Sequence, residues 1–130
     1  MIEMSPAQKE SLERVRNEFG ISLILAFGSR VKGISHPRSD LDIGILCKRG
    51  FDTRIVTELS EIFSGEEVDV ALLNRADPLL LKEVSEAAVI LSGEPRDFQE
   101  FRIYAFGRYV DYRPFFALEA EVNARHLAKA

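Results

Sequence analysis

The sequence predicts an α/β (α+β) domain: a small mixed β-sheet of about four strands with helices packed on it, continued by a C-terminal helical arm. Three observations predict it. Short aliphatic runs of strand length (ISLILAF, DLDIGIL, EEVDVALL, AAVILSG) alternate with stretches whose apolar residues recur at helical spacing. Gly or Pro punctuates most of the junctions between them. From Pro95 onward the spacing is helical and no further strand pattern appears.

Each element has its own signal. Ser5-Pro6 reads as an N-cap followed by proline at the first helical position; Leu12, Val15 and Phe19 form the helix's apolar stripe, and Gly20 follows its end. ISLILAF, ending at Gly28, suits a buried central strand, and RVKG after it suits a single helical turn. DLDIGIL alternates and reads as a second strand. Residues 52–63 place Ile55, Val56, Leu59 and Phe63 on one helical face, with Gly65 as the stop. EEVDVALL is a third strand, Asp77-Pro78 caps a helix to about Glu86, and AAVILSG is a short fourth strand.

Beyond Pro95, Phe98, Phe101 and Ala105 form one stripe, with Ile103, Phe106 and Val110 beside it. Tyr112-Arg113-Pro114 is expected to interrupt this helix before FFALEAEVNARHLA resumes it. The expected division is a core domain over residues 1–94 and a helical extension over 95–130. The aromatic side chains of the arm (Phe98, Phe101, Tyr104, Phe106, Tyr109, Tyr112, Phe115, Phe116) exceed what a narrow core stripe needs. The surplus suits a partner surface or self-association, as a homo-oligomer or hetero-oligomer.

Composition narrows the function. A net charge of −4 argues against a broad phosphate-tracking surface and stable nucleic-acid binding, although metal ions can let an acidic protein handle a nucleotide. Cys47 is the single cysteine, so an internal disulfide and a cysteine-based zinc cage are excluded; in its apolar run it reads as a buried small residue. The N-terminal stretch MIEMSPAQKESLERV lacks the apolar core of a signal peptide, no run approaches membrane-spanning length, and the expected location is cytoplasmic. His36 and His126 lack ligand-spaced partners and read as surface residues.

The chemistry concentrates in AFGSRVKGISHPRSDLDIGIL, residues 26–46. Strand alternation sends Asp40 and Asp42 to one face while Leu41, Ile43 and Ile45 anchor the other. Two carboxylates this close raise each other's pKa unless a cation lies between them. A hard divalent ion held by one or two carboxylates plus substrate phosphates, the habit of magnesium, resolves the repulsion. Asp69 interrupts the third strand in the same way and completes a three-carboxylate set if the strands are neighbours. Gly28 lets the backbone approach a phosphate, and Ser29 adds a hydroxyl donor. Arg30, Lys32 and Arg38 make the loop basic. A Walker-type loop fails because Ile34-Ser35, not Lys-Ser/Thr, follows Gly33. An EF-hand counted from Asp40 fails because its sixth and twelfth positions hold Ile45 and Phe51.

Gly28-Ser29, ten residues, then Asp40-Leu41-Asp42 with Asp69 on a later strand resembles the signature of the nucleotidyltransferase superfamily shared with DNA polymerase beta. By average residue usage, the four fixed positions arise by chance in roughly one in several hundred chains of this length. The likeness spans about residues 10–92. The short chain is similar to minimal nucleotidyltransferases paired with HEPN-domain toxins, and RYVDYRPF resembles their C-terminal segment. Val31 departs from the small residue common there.

The resemblance implies a nucleotidyltransferase fold and transfer of AMP from ATP, with Mg2+ (two ions) and pyrophosphate release. Asp40, Asp42 and Asp69 would be the catalytic and metal-binding residues, and Gly28, Ser29 and Arg30 the nucleotide-binding ones. It also implies a HEPN-domain toxin as partner, its tyrosine hydroxyl accepting AMP. Two rivals stay open: transfer to a small acceptor of the aminoglycoside type, and an antitoxin that acts by binding alone.

Overall fold

The computed structural model describes residues 2–33 and 40–129. In chain order the elements are α1 (Pro6–Glu18), β1 (Ile21–Phe27), α2 (Ser29–Lys32), β2 (Leu41–Cys47), α3 (Arg54–Ile62), β3 (Val68–Leu72), a 3-10 turn (Leu73–Arg75), α4 (Pro78–Ala87), β4 (Val89–Gly93) and α5 (Pro95–Lys129). The four strands form one sheet in the order β3-β2-β1-β4. β1 pairs antiparallel with both β2 and β4, whereas β2 and β3 run parallel. The sheet is therefore mixed, as the sequence predicts.

Local chemistry accounts for the elements. Ser5 caps α1 through a reciprocal box with Gln8, and the Asp77 carboxylate accepts from the Leu79 and Leu80 amides to start α4. β1 is buried along its whole length, which explains its unbroken aliphatic run. β2 instead alternates: Leu41, Ile43 and Ile45 are fully buried against Leu12 and Val15 of α1 and Ile55 and Leu59 of α3. The opposite face of the sheet packs Leu23, Leu25 and Phe27 against Leu73, Leu81 and Val84, and against Phe101 and Ala105 of α5. Gly44 is small because Leu73 lies on it; a side-chain carbon there would stand 3.1 Å from Leu73 Cδ1.

The 3-10 turn has no apolar periodicity, and its signal is chemical. The Asn74 side-chain amide accepts from Cys47 N–H at 2.8 Å and donates to the Cys47 carbonyl at 2.9 Å, mimicking one more strand pair at the end of β2. Cys47 is buried, and burial pushes its thiol pKa up, as an inert core cysteine requires.

Two expectations need correction. Val56 does not join the buried face of α3: Ile55, Leu59 and Phe63 follow the helical step, Val56 lies a third of a turn round and is exposed, and Ile62 packs in its place. Pro114 does not interrupt the arm, because α5 continues through it to Lys129. Proline removes one amide donor, yet around Pro114 the helix is exposed, where water can serve the Val110 carbonyl.

The stripe Phe98, Phe101, Ala105 does face the core, while Ile103, Phe106 and Val110 beside it are exposed. Beyond Val110, the described side chains of α5 are exposed except Phe116, which is partly covered. His126 is among the exposed ones. His36 and Arg38 lie outside the described residues.

Candidate nucleotide and metal site

The candidate site lies where β1 ends and β2 and β3 begin. Antiparallel pairing sets Phe27 opposite Asp42, and parallel pairing sets Asp42 opposite Asp69. Register partners on neighbouring strands, about 4.8 Å apart, share a face of the sheet. Asp42 and Asp69 therefore project together on the side away from Leu41, Ile43 and Val70. Asp69 is exposed on the edge strand, and Asp42 is half-buried. Asp40 is exposed at the lead-in to β2.

The electrostatics follow from that convergence. Burial, above all, raises the Asp42 pKa, and the carboxylates of Asp69, Asp40 and Glu83 raise it further. Among the described residues, no three His, Cys, Asp or Glu side chains are gathered into a ready metal cage. The donor set still fits magnesium, whose usual protein contribution is one or two carboxylates with substrate phosphates completing the shell.

Gly28 closes the site from the other side. Its φ of 83° lies in the left-handed region, and any side-chain carbon at this position would fall on the Asp42 Oδ2 atom. The glycine brings the backbone of the Gly-Ser turn directly against the carboxylate. Ser29 then opens α2, whose turn is closed by Lys32 N–H donating to the Gly28 carbonyl at 3.1 Å. The Gly-Ser turn and the Asp42 carboxylate are thus adjacent in space, although ten residues separate Ser29 from Asp40.

The basic residues of α2 lie differently from a simple phosphate cradle. Arg30 forms an ion pair with Glu66, just before β3. Lys32 lies 3.5 Å from Glu83 on α4. Neither Glu66 nor Glu83 is foreshadowed by the sequence. Each is an ordinary solvated glutamate in its own segment and reaches the site only through the sheet order and the packing of α4.

The fold is thus a small mixed sheet that presents carboxylates from two adjacent strands beside a Gly-Ser turn. Residues 10–96 match the family described as polymerase beta, nucleotidyltransferase. The chain belongs to that family. No curated protein matches it by sequence.

Solved structures do match. A chain from a crystal structure of a toxin-antitoxin with AMP-PNP is 22% identical with a TM-score of 0.73, over 88% of this chain and 97% of that one. A structure of the tri-AMPylated Shewanella oneidensis HEPN toxin in complex with MNT antitoxin gives 20% identity and a TM-score of 0.67, over 89% and 96%. Spectinomycin adenyltransferase from Enterococcus faecialis, with ATP and spectinomycin, is 11% identical with a TM-score of 0.52, over 75% of this chain and 59% of that one. At these identities the likeness is one of fold.

Proposed function

We propose that this chain is an AMPylating antitoxin: a magnesium-dependent nucleotidyltransferase that transfers AMP from ATP to a tyrosine hydroxyl of a HEPN-domain toxin and so neutralises it. The observation that carries the reading is the register of Asp42 with Asp69, closed by Gly28 against the Asp42 carboxylate. Family membership supports the reaction type. The toxin-antitoxin structures of similar fold, one with AMP-PNP and one with an AMPylated toxin, support the substrate and the acceptor.

In this reading Asp40, Asp42 and Asp69 would hold the metal, two ions, which would neutralise phosphate charge. The chain's own residues do the rest. Gly28 lets the turn lie against the Asp42 carboxylate, so that Ser29 beside it donates its hydroxyl to a phosphate oxygen. Arg30 has five donors, so pairing with Glu66 does not preclude a phosphate contact. The acceptor oxygen attacks the α-phosphorus, the bond to the bridging oxygen breaks, pyrophosphate leaves, and Asp69 takes the hydroxyl proton.

Residues 95–130 act as an extension whose exposed apolar side chains meet the partner. Among the described residues, no helix is long and apolar enough to cross a membrane. The proposed location, with the toxin, is the cytoplasm.

The test is incubation with α-labelled ATP, magnesium and a HEPN-domain protein. Label on a tyrosine of that protein is expected, and its absence under every metal condition contradicts the reading. The small-acceptor alternative rests on the adenyltransferase likeness, in which this chain spans only 59% of the other. It would require nucleotide-dependent stabilisation by a small hydroxylated acceptor.

A further inference from the structure

Helix α2 is four residues long and buries none of its own side chains. A single turn of this kind does not hold itself in water, because nucleation fixes several residues for one hydrogen bond. It is nevertheless the segment that carries Ser29. What fixes it must come from outside, and three anchors are visible.

The first is the contact of Gly28 with Asp42 at the helix start. The other two are ionic and lie on opposite flanks, since positions 30 and 32 are about 200° apart around a helix. On one flank Arg30 pairs with Glu66, whose own N–H donates to the Phe63 carbonyl at 3.1 Å, tying it to a residue buried in the core. On the other flank Lys32 lies 3.5 Å from Glu83, in a stretch of α4 seated by the fully buried Leu81 and Val84. Both carboxylates thus stand on elements fixed by the core.

We propose that Glu66 and Glu83 are positioning residues that brace α2 from both sides, through Arg30 and Lys32, and hold Ser29 where it meets the phosphates of the nucleotide. The inference rests on the nucleotidyl-transfer reading for its purpose, though not for the brace itself. Partly exposed ion pairs contribute little to global stability. Their effect here is on where a short helix sits, so it is read in exchange and in nucleotide binding rather than in unfolding.

The variant is Glu66→Gln combined with Glu83→Gln, which keeps side-chain size. Without nucleotide, exchange of the Lys32 and Gly33 amides, which donate to the Gly28 and Ser29 carbonyls, should become roughly three- to ten-fold faster, while exchange in β1 and β2 stays unchanged. In the transfer assay KM for ATP should rise roughly three- to ten-fold with kcat at saturation within about two-fold, the pattern of lost uniform binding. Lys32→Glu alone should raise KM, and adding Glu83→Lys should restore much of it. Unchanged exchange in the double variant overturns the brace. So does a KM that is unchanged or lower, the latter meaning that the carboxylates compete with phosphate for the two cations. A wild-type chain that binds no AMP-PNP in magnesium overturns the nucleotidyl-transfer reading instead. It is told apart because the exchange difference between wild type and variant then persists.

Discussion

Gly28 shows how narrowly the site is specified. Two independent demands meet there, a φ of 83° and the direct approach of the Asp42 carboxylate, and only glycine satisfies both. Gly28→Ala should cost about 1–3 kcal/mol through the backbone alone, because φ 83° with ψ −161° is a conformation essentially confined to glycine. It should also displace Asp42 and lower label transfer by about 100-fold or more, as misplacement near reacting groups does. Chemical denaturation and the transfer assay separate the two effects. A second polar site, remote from the first, makes an acid-side prediction. Arg16 donates to both Glu13 and Ser92, and the buried Ser92 hydroxyl donates to Glu13 at 2.7 Å. The Arg16 hydrogen bond, then the Ser92 one, hold the Glu13 pKa below its ordinary value. A depressed folded-state pKa means that this stabilisation is present above the ordinary value, about 4.5, and is lost as pH falls through the lower folded one. Glu13→Gln should therefore flatten the fall in stability below about pH 4.5, measured by urea midpoints across pH. An unchanged acid limb would show that the triad contributes nothing to folding.

Elements were more legible than contacts. Strand lengths and caps follow local rules, so the aliphatic runs, Ser5-Pro6 and Asp77-Pro78 place β1, α1 and α4 to within a residue or two. The Gly-Ser turn and the paired aspartates were equally visible, because their spacing is local. Glu66, Glu83 and Asn74 were not, since each acts across the fold and carries no periodic signal. Pro114 misleads for a related reason: proline's local rule, a lost hydrogen bond and a ring clash with the carbonyl four residues back, bears less heavily on an exposed helix, where that carbonyl can tilt out to water. The arm itself divides sharply between its first turns and the rest. Phe101 is 2% exposed within the core cluster, whereas Phe115 is 58% exposed. Phe101→Ala should cost about 3–5 kcal/mol, as large core truncations do. The same change at Phe115 should stay within about 0.5 kcal/mol in the isolated chain. If Phe115→Ala unfolds the isolated protein, its side chain is not the free surface described here.

At the scale of the whole molecule, the sheet places its chemistry at one end and leaves a long helix with an uncovered apolar surface. The exposed side chains from Ile103 to Leu127 include Phe106, Tyr112, Phe115 and Leu118, more apolar area than an isolated helix benefits from showing to water. The candidate site and the exposed apolar arm together fit the proposed protein acceptor better than a small molecule. The central claim is that this chain silences a partner by covalent nucleotidyl transfer and not by occupancy. The most direct measurement is the intact mass of a HEPN-domain protein after co-expression with the wild-type chain or with Asp42→Asn. The account predicts one or more AMP increments on a tyrosine with the wild type, none with Asp42→Asn, and neutralisation only in the first case. An unmodified partner that is still neutralised by the wild type would contradict it.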